Sequence, residues 1–145
     1  MLDIEKLIPH RDRMKLVSEV LDVNNEIATT ASTVTDKWPL CDQEGVNCLV
    51  LIELVAQTSA LAIGWEKYQE EPESDIQGKG WLVGIKEAAF HKEKIPHATR
   101  IITHVEISFN MNNYSEVQGS AETEHEQLST ITLQVYRKDK DNDGE

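Results

Sequence analysis

Between Asn47 and Trp65, Glu53 is the only Asp, Glu, Lys, Arg or His residue, and the residues around it are almost all apolar. Burial disfavours a carboxyl's charged form and raises its pKa toward neutrality, where one group can both give and take a proton. Gln57 follows four residues later. On a helix it shares a face with Glu53, so it can bind the same ligand or hydrogen-bond to Glu53 itself. A helix starting near Val46 and Asn47 would also present free backbone N–H groups and the positive end of its dipole, which suit negative charge developing on a carbonyl oxygen. Glu53 is therefore the candidate acid or base, and Val46, Asn47 and Gln57 are candidate ligand-binding residues.

The remaining reactive residue types are dispersed. Cys41 and Cys48 form no CxxC pair and lie at no metal-ligand spacing from a histidine, so both are expected as free, reduced thiols. His10, His91, His97, His104 and His125 likewise show no ligand spacing, and neither a metal nor a cofactor is expected. Asp139, Asp141 and Asp143 before Gly144 match the first half of an EF-hand loop, but the later ligands are missing. The expectation is one domain over residues 1–137 and a flexible acidic tail over 138–145.

Certain elements must position Glu53. The helix is expected from Asn47, a good N-cap, to Tyr68, buried all round through Ile63 and Trp65. After an opening turn at Ile4 to Leu7, the stretches Met14 to Val23 and Ile27 to Val34, joined by Asn24-Asn25, read as a hairpin. Residues 36–45 carry Pro and Gly without periodicity and read as a loop. Beyond an acidic connection from Glu71 to Gly80, strands are expected at Trp81 to Phe90, Thr99 to Phe109, Ser115 to Glu122 and Leu128 to Arg137. Their short connections favour antiparallel pairing. The sum is an α+β domain, with about six antiparallel strands wrapped around one long helix.

Length and charge exclude several function classes. At 145 residues the chain can bury one substantial core without disulfides. No segment approaches the roughly 18 to 20 apolar residues of a spanning helix, and the N-terminus lacks the features of a secretory signal. A cytoplasmic protein without membrane insertion is expected. The net charge of −12 and the lack of a basic stripe argue against nucleic acid as a partner. Between Lys79 and Arg100 the balance turns locally basic, which makes Lys92 and Lys94 candidates for contact with an acidic partner.

Ile8-Pro9-His10-Arg11, the helix segment Glu53-Leu54-Val55-Ala56-Gln57 and the stretch from Ala89-Phe90 to Ile95-Pro96 together resemble the FabZ-type 3-hydroxyacyl-acyl-carrier-protein dehydratases. The resemblance covers about residues 7 to 137. It implies a hot-dog fold and a homodimer or higher even oligomer with composite sites. The implied ligand is an acyl thioester carried on acyl carrier protein or coenzyme A. It also implies catalysis by the helix glutamate, Glu53, opposite a histidine. Where the family has that histidine in a His-Phe-Pro motif, this chain has Lys37-Trp38-Pro39. Lys37 is thus the second candidate catalytic residue, able to act as a base only with a lowered pKa, while Trp38 is expected to pack. The first expectation is 3-hydroxyacyl-thioester dehydration. The alternatives are thioester hydrolysis and binding of an acyl chain or carrier protein without catalysis.

Overall fold

The computed structural model describes residues 15–70, 80–111 and 113–138. The opening turn, the His10 motif, most of the acidic connection with Lys79, and the EF-hand-like tail lie outside them.

Alternating sequence builds the main sheet. In β7, Arg100–Met111, the side chains of Ile101, Thr103 and Val105 are buried while Arg100, His104 and Glu106 are exposed. β8, Tyr114–Glu122, repeats the pattern with Ser115, Val117 and Ala121 inside. These strands join β1 (Glu19–Val23), β2 (Ile27–Thr33), β5 (Gly80–Phe90) and β9 (Gln127–Lys138). The six-stranded order is β1-β2-β7-β8-β9-β5, antiparallel throughout. Irregular steps at Val20/Asp22, Ile85/Glu87 and Ile107/Phe109 put an extra residue in one strand. Such bulges sharpen twist and bend, and here the sheet curves around the helix.

The helix α1, Val50–Glu70, has 21 residues and packs mainly on β7, β2 and β8. A Cβ added to Gly119 of β8 would lie 2.5 Å from a methyl of Val55, so only glycine admits this closeness of helix and sheet. This is the expected hot-dog architecture: a curved antiparallel sheet around a long central helix.

Three expectations are corrected. The helix starts at Val50, because Asn47 is held in β4 (Gly45–Asn47), the middle strand of a small sheet with β3 (Cys41–Asp42) and β6 (Lys94–Ile95). Residues 36–45 are therefore not a plain loop. Gly45, at φ 147°, allows β4 to approach β6: a Cβ there would sit 2.0 Å from the Ile95 carbonyl oxygen. The helix is also not buried all round. Ile52, Glu53 and Ala56, three to seven residues on from exposed Leu49, form a partly open stripe, and Ile63 two turns later is again only partly covered. The sheet covers only the opposite side of α1.

Candidate functional site

Glu53 lies in the first turn of α1 on this partly open stripe. Its Oε1 accepts a hydrogen bond from Gln57 Nε2 at 3.4 Å. Gln57 is fully buried, and its Oε1 accepts from the backbone N–H groups of Leu16 at 2.8 Å and Val17 at 3.3 Å. The i, i+4 relation read from the sequence is therefore real, and the amide does two jobs. It ties the segment before β1 to the helix, and it presents its NH2 to the Glu53 carboxylate. The tie to residues 41 and 40 positions away leaves no signal in local sequence.

The N-terminus of α1 is not an open set of donors near Val46 and Asn47. Val46 is wholly buried and pairs with Cys41 and Ile95. The Asn47 N–H donates to the Leu40 carbonyl at 3.0 Å, and Asn47 Oδ1 accepts from the Leu49 N–H at 2.9 Å. The next amides are engaged too: Cys48 to the Glu93 carbonyl, Leu51 to Cys48 and Ile52 to Leu49. The expectation of free amides at Val46 and Asn47 is corrected, because the small sheet uses them to dock the start of α1. What remains near Glu53 is the positive end of the helix dipole.

Lys37 is exposed in a turn closed by Trp38 N–H to the Thr35 carbonyl at 3.3 Å, and Trp38 is the buried anchor of that turn, as expected. With Lys15, Leu16, Val17, Thr33 and Trp38, Lys37 lines a groove of about 390 Å3. Gln57 bonds to Leu16 and Val17 of that groove wall. Lys37 and Glu53 are thus linked through one buried side chain and one short segment.

A second open apolar surface belongs to the same side of the molecule. Val83 and Ile85 of β5 pair with Val135 and Leu133, so they point to the face of the sheet that carries α1. Val135 and Leu133 are buried, whereas Val83 is 46% and Ile85 53% exposed. β5 extends the inner face of the sheet beyond the cover of the helix. Among the described residues it is also an edge of the sheet, and edge strands can pair with another chain.

The described histidines lie elsewhere. His104 on the outer face of the sheet bonds to Thr29 Oγ1 at 3.1 Å and Glu122 Oε1 at 2.8 Å, beside a concavity of about 470 Å3. His97 Nε2 donates to the Asp42 carbonyl at 2.7 Å, and His125 sits in the turn after β8. Among the described residues no group of His, Cys, Asp or Glu is arranged to hold a metal.

The basic stretch is electrically compensated. Lys92 pairs with Glu126 at 2.6 Å, Lys86 with Glu116 at 3.1 Å, Arg100 with Glu19 at 3.6 Å, and Lys94 with Asp42. The Lys94 ammonium holds the Asp42 carboxyl below its usual range, and Asp42 in turn raises Lys94. The expected locally basic face is therefore a set of ion pairs formed with acids distant in sequence. Burial pushes the Cys48 thiol up, so it is a packed thiol and a poor nucleophile.

No helix among the described residues is long and apolar enough to cross a membrane. Comparison with the curated proteins finds no match. Among solved structures, the dehydratase heterocomplex ApeI:P from Xenorhabdus doucetiae superposes with a TM-score of 0.83 at 20% identity, covering 97% of this chain and 94% of that one. An HP0420 homologue from Helicobacter felis gives 0.66 at 13% identity over 90% and 84%. A hypothetical thioesterase with coenzyme A from Streptococcus pneumoniae gives 0.61 at 8% over 82% and 84%. At these identities the likeness is one of fold. The sequence itself matches the ApeP-like family, described as ApeP dehydratase, over residues 2–144, and the chain belongs to that family of dehydratases.

Proposed function

We propose that this chain is one subunit of an acyl-thioester dehydratase, with Glu53 as its acid and the α-proton base supplied by a second hot-dog subunit. The observation that carries the proposal is the position of Glu53. It lies on the partly open stripe of α1, in a molecule whose β5 leaves Val83 and Ile85 open on the same side of the sheet. A second chain seated there would cover both surfaces and enclose the carboxyl.

The chemistry balances with two groups. A base removes the proton α to the thioester carbonyl. The electron pair forms the carbon–carbon double bond, and the 3-hydroxyl leaves as water with the proton that Glu53 gives it. Neither step calls for a cofactor. Gln57 holds the carboxyl by its NH2 and is the positioning residue. Val46 and Asn47 then serve the site by fixing the start of α1, and the helix dipole favours charge on the thioester oxygen. Lys37 stands where the FabZ-type resemblance puts the base, yet it is exposed in its turn, whereas a lysine base is made by burial. That supports a base from outside this chain.

An unlike partner is favoured over a second copy. A second copy would bring another Lys37, and one of the structural relatives with this fold is a dehydratase heterocomplex. The substrate is read as a 3-hydroxyacyl group on acyl carrier protein or coenzyme A, and the setting as cytoplasmic. The ion pairs around Lys92 and Lys94 leave the carrier to be recognised by shape and by the thioester arm more than by a basic face.

Hydrolysis is the second reading, favoured by the fold shared with a hypothetical thioesterase solved with coenzyme A. Incubation of one 3-hydroxyacyl thioester with the subunit pair separates the two. Enoyl thioester without free thiol is the expected product. Free thiol without enoyl product would replace dehydration by hydrolysis. Neither product, with binding unaffected by Glu53→Gln, would leave a binding protein.

A further inference from the structure

Opposite α1, the pairing of the main sheet aligns one row of side chains on its inner face: Thr30 of β2, Thr103 of β7, Ala121 of β8 and Ser129 of β9. All four are at most 1% exposed or wholly buried. At the β2 end the row is satisfied, since Thr30 Oγ1 and Thr58 Oγ1 lie 2.9 Å apart and Thr58 Oγ1 is also bonded to the Leu54 carbonyl at 2.8 Å. Further along it is not. Thr103 Oγ1 and Ser129 Oγ have no hydrogen-bond partner among the described residues, nor does Ser32 Oγ, which lies beside Thr103 one diagonal step along β2.

A buried hydroxyl without a partner forfeits its hydration, and native cores rarely tolerate three together. The residue between Thr103 and Ser129 is alanine, the smallest side chain with a Cβ. Neighbouring strands lie about 4.8 Å apart, so the backbones of Thr103 and Ser129 are about 10 Å apart. That is too far for direct contact. It matches two waters in a chain of three hydrogen bonds of about 2.8 Å, with the hydroxyls leaning inward.

We infer that this row is a buried water-binding track: one ordered water joins Ser32 to Thr103, and two more cross over Ala121 to Ser129. The sites have the polar partners that internal water needs. The track runs on the sheet face beneath α1, beside the direct Thr30–Thr58 contact that ties the helix to β2.

Water NOE spectroscopy on the full chain tests this. Long-lived water should give cross-peaks to the Ala121 methyl and amide, and their absence would overturn the inference. Unfolding in urea gives an independent reading. Thr103→Val and Ser129→Ala should each lower the folding equilibrium constant about fivefold, the usual scale of one lost hydrogen bond. The double variant should lose less than the product of the two, because both hydroxyls hold the same waters. A dry core predicts the reverse, with each variant more stable and the effects multiplying, which would discard the track. If the variants fail to fold, the NOE on the unaltered chain decides alone.

Discussion

Replacing Gln57 by leucine removes the acceptor for two buried backbone donors while nearly preserving side-chain volume. In the folded chain, the Leu16 and Val17 N–H groups point at Gln57 Oε1 at 2.8 and 3.3 Å, and both residues are at most 2% exposed. A buried donor left unsatisfied costs about 1–3 kcal/mol. With the longer bond at the low end, the variant should lose about 2–4 kcal/mol. For a chain of this size the urea m-value is about 1–3 kcal/mol per molar, so the midpoint should fall by roughly 0.7–4 M. Amide exchange at Leu16 and Val17 should quicken with it, because these amides lose their partner. Turnover should fall as well, since Glu53 loses the NH2 that holds it. A midpoint within the error of the unaltered chain, together with slow exchange at both amides, would refute the claim that Gln57 ties this segment to α1.

Three further predictions follow from the packing. Gly119→Ala drives a methyl against Val55 and should destabilise by about 1–3 kcal/mol, read from the same urea titration; Val55→Ala in the same chain should restore part of the loss. Ala98 has φ 67°, a left-handed conformation that suits glycine, so Ala98→Gly should stabilise by about 1 kcal/mol, and a loss of stability would contradict the strain assigned to this turn. Burial raises the folded pKa of Cys48 above its ordinary 9.0. The stability from keeping this thiol protonated is complete below that pH and is lost as pH rises through the higher folded value. Alkylation at pH 8 followed by peptide mass analysis should therefore find Cys41 modified first, and Cys48 only when the chain unfolds.

The elements that position Glu53 were legible wherever one face of the chain meets water and the other meets α1. The alternation in β7 and β9 gives both strands to within a few residues, because the sheet is solvated on one side only. The apolar run around Glu53 gives the helix. Its start was misplaced by three residues, since Asn47 has the side chain of an N-cap but spends it on the Leu49 amide from within β4. β3, β4 and β6 are two or three residues long, too short for any periodicity, and β4 pairs with β6 across some fifty residues of sequence. The basic stretch misled for a related reason. Counting charge along the chain sees Lys92 and Lys94 together but not Glu126 and Asp42, which the fold brings to them. Glu53 itself was visible as a lone carboxyl on an apolar helix. That its face is left open could not be read, because an uncovered stripe and a buried one are both apolar in sequence.

If Glu53 acts with a base from another subunit, enoyl-thioester formation from a 3-hydroxyacyl thioester should differ between this chain alone, this chain mixed with an unlike hot-dog subunit, and the mixture carrying Glu53→Gln. Turnover is expected only in the unaltered mixture, with a loss of at least about a hundredfold on Glu53→Gln, the scale of one general acid. Turnover by the chain alone, or a mixture indifferent to Glu53→Gln, would contradict it.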